Sequence, residues 1–117
     1  MISSIISSAQ KAYETIEYTG MVNGMMVKLS LADGYLGASK ITLNPKNKKP
    51  SIFIPENGVE DANGQLKFPH YTTSLKPSKP YFLLSRLQDS FNVIPPEISG
   101  KYYDGKNQYP IILKKKK

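Results

Sequence analysis

Lysines interleaved with tyrosines are the residues of this chain whose types and spacing point to chemistry. Lys101, Tyr102 and Tyr103 are consecutive, Lys106 and Tyr109 follow, and Lys114, Lys115, Lys116 and Lys117 close the sequence. A second basic group, Lys46, Lys48 and Lys49, falls in a proline-bounded stretch shortly before Phe53. Tyr71 and Tyr81 lie near Lys67, Lys76 and Lys79. Cations track phosphates and flat rings stack on bases, at about 1–3 kcal/mol per base, so this mixture suits single-stranded nucleic acid. Lys46, Lys48, Lys49, Lys101, Lys106 and Lys114–Lys117 are the expected phosphate contacts. Tyr102, Tyr103 and Tyr109 are the expected stacking rings.

The kind of cation limits what such a surface reads. The chain has fifteen lysines and one arginine, Arg86. Lysine is a point charge, whereas arginine supplies the bidentate fork that reads bases. Attraction to the backbone without sequence reading is therefore the expectation. Sixteen basic against nine acidic side chains give a net charge of +7, and the four terminal lysines supply more than half of it. Residues 1–39 are slightly acidic, so an anion-binding surface must come from the later part of the chain.

Other constellations are missing from the sequence. His70 is the only histidine and there is no cysteine, which removes the usual zinc sets and thiolate chemistry. Glu56, Glu60 and Asp61 lack the spacing of a calcium loop and read as a solvated turn. No G-x-S-x-G elbow, phosphate loop or dinucleotide fingerprint occurs. The expectation is a small non-enzymatic binding protein with no cofactor and no metal. The alternative is a protein-interaction module, an inhibitor or accessory factor docking on a larger acidic partner through exposed tyrosines. Met21, Met25 and Met26 suit either a core or an adaptable contact surface. Homo-oligomerisation is compatible with both readings. No apolar run approaches the roughly 18 residues that cross a bilayer. The first residues lack the basic and long apolar regions of a signal peptide. A cytoplasmic protein with no membrane partner is expected.

The elements that must position these residues are read from periodicity. Ile2, Ile5, Ile6, Ala9, Tyr13 and Ile16 follow helical spacing, with Ser3 or Ser4 as cap and Gly20 as stop, which predicts an N-terminal helix. Val27, Leu29 and Leu31 alternate, Asp33-Gly34 signals a turn, and Ile41 and Leu43 alternate again, which predicts a hairpin. Residues 51–54 and 65–68 read as short strands. Ser78 to about Asn92 reads as a second helix with Leu84, Leu87 and Phe91 on one face, although the run from Tyr81 to Leu84 also suits a strand. Gly100 and Gly105 bracket residues 101–104 as a turn, and Tyr109–Leu113 reads as a terminal strand. The expected fold class is α+β: a small antiparallel sheet of about four to six short strands packed by two helices. Residues 1–113 are expected to form one compact domain and 114–117 a disordered basic tail.

Overall fold

The computed structural model describes residues 14–46, 48–71, 80–88 and 91–116. They form eight antiparallel strands: β1 (Glu14–Val22), β2 (Met25–Asp33), β3 (Lys40–Asn44), β4 (Ser51–Phe53), β5 (Leu66–Pro69), β6 (Tyr81–Leu84), β7 (Glu97–Tyr103) and β8 (Gln108–Lys115). Consecutive strands pair, β8 returns to pair with β1, and an isolated antiparallel bridge between Phe53 and His70 joins β4 to β5. The sheet is a nearly closed up-and-down barrel. Backbone bonds from Tyr71 N–H to the Ile52 carbonyl (2.8 Å) and from Glu56 N–H to the Lys67 carbonyl (2.9 Å) continue the β4–β5 seam.

This corrects the expected α+β fold. Among the described residues there is no α-helix, only a 3-10 turn at Leu36–Ala38. Glu14 to Gly20, assigned above to the end of a helix, are the first residues of β1, and the rest of that predicted helix lies outside the described residues. Ile16, Tyr18 and Val22 turn to the core with period two, the alternation of a strand whose other face meets water. Asn23 and Gly24, with φ of 50° and 79°, make the turn from β1 into β2. Positive φ at both central residues is the twist a two-residue hairpin requires, and Asn-Gly is the pair that tolerates it. The second predicted helix is also absent where it is described: Tyr81–Leu84 is β6, and Ser85 to Gln88 continue as irregular chain. Ser78 and Asp89, also in that predicted helix, lie outside the described residues, as do Lys76, Lys79 and Lys117.

The interior is apolar. Tyr18, Val27, Leu29, Leu31, Ile41, Phe53, Phe68, Phe82, Leu84 and Leu113 are buried to within about one per cent of completely. Aromatic rings meet at its centre: Phe53 stands edge-on to Phe82 at 4.9 Å, and Phe82 lies 4.7 Å from Tyr102. Eight strands enclose a space that side chains of this size fill. Room is short enough that β7 needs a glycine. A Cβ on Gly100 would run into the Leu83 carbonyl oxygen and come within 3.0 Å of Leu84 Cα.

Polar anchors tie the connections to the wall. Tyr18, buried in the barrel, donates its hydroxyl to the Pro95 carbonyl at 2.6 Å. Asp33 accepts the Phe91 N–H at 2.8 Å, and Ser39 Oγ accepts the Ala32 N–H at 2.9 Å. Because strand direction alternates, the β1–β2, β3–β4, β5–β6 and β7–β8 connections share one end of the barrel. The β2–β3, β4–β5 and β6–β7 connections share the other.

Candidate nucleic-acid interface

The barrel wall sorts the expected stacking rings. Residue parity along β7 puts Ile98 and Tyr102 inside and Ser99, Lys101 and Tyr103 outside. Tyr102 is 5% exposed and is a core ring, not a stacking platform. Burial, then the charge of Asp104, then Tyr109 hold its hydroxyl above the ordinary tyrosine range. Tyr109 also turns inward, with its ring 6.3 Å from that of Tyr102 and its hydroxyl donating to Asp104 Oδ2 at 3.2 Å. Of the three expected rings, only Tyr103 stands on the outer face. The stretch 101–104, expected to be a turn, is the end of β7 and the first residue beyond it.

Strand register gives Tyr103 a different companion. Tyr81 of β6 lies directly opposite Tyr103, their ring centroids 5.1 Å apart at 36°. Lys67 of β5 places its Nζ 4.5 Å from the centre of the Tyr81 ring, a cation–π contact. Lys101, exposed, lies opposite Leu83, which in turn lies opposite Lys67. The outer face of β5, β6 and β7 therefore carries two tyrosines and two lysines in two adjacent rows. The Tyr103 hydroxyl donates to the Gly105 carbonyl at 2.9 Å, which fixes that ring. Glu56, bonded through its N–H to the Lys67 carbonyl, sits beside Lys67, and Glu97 stands exposed at the start of β7, so the face also carries acidic residues. Period two alone marks Tyr81 and Lys67 as outward, but nothing in the linear sequence pairs Tyr81 with Tyr103.

The expected phosphate contacts divide between the two ends of the barrel. Lys46, Lys48 and Lys49 in the β3–β4 connection and Lys106 in the β7–β8 turn are exposed at one end. The β7–β8 turn is built by Asp104, whose Oδ1 accepts the N–H groups of Lys106 and Asn107, each at 2.8 Å. Those backbone bonds hold its carboxyl below the usual carboxylate value. Lys114 and Lys115 lie at the opposite end and belong to β8, so the wall runs past Leu113. Lys116 continues it, donating its N–H to the Glu17 carbonyl at 2.8 Å and placing its ammonium 3.7 Å from the Glu17 carboxylate.

The other residues considered for chemistry lie around the β4–β5 connection. Asp61 accepts the N–H groups of Asn63 and Gln65 and shapes the β4–β5 connection. Among the described residues no group of three or more acidic or histidine side chains is placed to hold a metal ion. His70 is half-buried in the β4–β5 bridge with its ring 5.1 Å from Phe53. No protein-family model, curated protein or solved structure matches this chain.

Proposed function

We propose that this protein is a non-enzymatic binding module for single-stranded nucleic acid, and that the outer face of β5–β6–β7 is its contact surface. The observation that carries this reading is the Tyr81–Tyr103 pair with Lys67 over one ring and Lys101 in the neighbouring row. Rings offer stacking surface to any base, and lysines neutralise phosphate without reading sequence, so binding is tolerant of sequence. Lys106 in the β7–β8 turn extends the positive field beyond Tyr103, as Lys46, Lys48 and Lys49 do at the same end of the barrel. Lys114–Lys116 stand at the other end of β8 and act at long range only.

Fluorescence anisotropy with labelled single- and double-stranded oligonucleotides across a salt series tests the reading. Micromolar binding of single strands is expected, lost in Tyr81→Ala/Tyr103→Ala and kept when Lys114–Lys117 are all replaced by glutamine. Glutamine is the suitable replacement because deleting these residues also removes the end of β8. Binding that follows the terminal lysines and ignores the tyrosines would refute this assignment.

A further inference from the structure

A second outer face, on β8, β1 and β2, has a different chemistry. Met21 of β1 lies opposite Met26 of β2, and the two are 59% and 44% exposed. The β1–β8 pairing sets Thr19 opposite Lys114. Carried two residues further, the same register puts Met21 opposite Ile112, which is 55% exposed. Three apolar side chains thus form a continuous outward stripe across three adjacent strands. A contiguous apolar row exposed on the outer wall is the kind of feature that contact surfaces are built on.

The borders of the stripe are charged. In the next row, Lys28 and Lys114 flank Thr19 from either side. Beyond Ile112 the wall dips into a cleft of about 270 Å³, lined by Arg86, Pro95 and Glu97 among others. Arg86, the sole arginine, sits there with a left-handed backbone at φ 57°. Glu97 pairs in register with Lys114, and Glu17 is engaged by Lys116. The surroundings keep a positive excess.

We infer that this face docks an acidic amphipathic segment of a protein partner, its apolar side chains on Met21, Met26 and Ile112 and its carboxylates toward Lys28, Lys114 and Arg86. Methionine is unbranched and polarizable and adapts to side chains of varied shape. The stripe offers no ring for a base, which separates it from the β5–β6–β7 face. Charge complementarity selects the partner, since an acidic segment relieves the lysines and a basic one is repelled.

Methyl-labelled methionine NMR tests this on the full chain. The probe is a short synthetic peptide of alternating leucine and glutamate, compared with the same peptide carrying lysine in place of glutamate. The methyl signals of Met21 and Met26 should shift saturably with the acidic peptide, while Met25, packed against the core, serves as the internal reference. Lys28→Glu/Lys114→Glu should weaken binding about tenfold. Met21→Ser/Met26→Ser, at exposed positions that leave the core intact, should abolish it. Four results overturn the inference. They are no shift, an equal response to the lysine peptide, Met21 and Met26 signals that change with protein concentration alone as in self-association, or the same shifts produced by a single-stranded oligonucleotide.

Discussion

Tyr81 and Tyr103 meet across the β6–β7 pair with their ring centroids 5.1 Å apart on the outside of the barrel, while Tyr102, the next residue along β7, points to the Phe82 ring inside. Substitution should therefore separate binding from folding. Tyr103→Ala and Tyr81→Ala should each weaken single-strand affinity by about 1–3 kcal/mol, roughly 5- to 150-fold. Tyr102→Ala should instead cost about 3–5 kcal/mol of stability, as a large core truncation does. Anisotropy and urea denaturation on the three variants check both halves.

Salt reports the lysines individually. A phosphate contact to a single strand contributes about 0.7 to the slope of log affinity against log salt. Lys67→Ala and Lys101→Ala should each lower the slope by about that amount. Lys116→Ala should leave it nearly unchanged, since that ammonium is engaged with Glu17 at the opposite end of β8.

Packing at Gly100 predicts a steric failure. Gly100→Ala forces a methyl against Leu84 Cα and the Leu83 carbonyl and should destabilise the barrel by about 1–3 kcal/mol. The change should appear as a lower urea midpoint with the same m value.

Alkaline pH acts through Tyr18. Burial first, and the Asp33 charge second, raise its pKa above the ordinary 10.0. A folded pKa above the unfolded one gives a contribution that is complete below the unfolded value and is lost as pH rises through the folded value. Stability should fall above about pH 10 and fall less steeply in Tyr18→Phe, and Tyr102, whose pKa burial also raises, acts in the same direction. At neutral pH, Tyr18→Phe strands the Pro95 carbonyl and should cost about 1–3 kcal/mol. Denaturation as a function of pH measures both.

Acid acts through Asp104. Its folded pKa is lowered from 3.8 by the Asn107 and Lys106 N–H groups, so its support for the β7–β8 turn is present above that value and is lost as pH falls through the lowered one. The amide resonances of Lys106 and Asn107 should titrate together, below pH 3.8.

Alternation made the middle of the barrel readable in the sequence. Val27, Leu29, Leu31, Ile41 and Leu43 are all core residues, as their spacing implied. Ile16 misled because it also continues a helical series from Ile2, whereas Tyr18 and Val22 complete a period-two series that ends at Asn23-Gly24, the stronger marker of a hairpin. Gly100 looked like punctuation and is instead a strand residue chosen for want of space. The proposed contact face was half legible. Tyr103 stands on the outside of the barrel and Tyr102 and Tyr109 turn inward, because parity decides which side of the wall a ring occupies and the strand limits were misjudged. The Tyr81–Tyr103 pair depends on register between distant segments, which composition does not encode.

Among the described residues, the β1–β8 seam joins the two strands that lie farthest apart in sequence, with the other six strands between them. Its contacts have the longest loops to close, so they gain least until the remaining wall is laid down. Folding should be slow for a chain of this size, with seam formation late. Until then β1 and β8 each present an unpaired edge, and the apolar row of Met21, Met26 and Ile112 is interrupted at that gap. An unfinished barrel is thus the species most exposed to edge-to-edge aggregation.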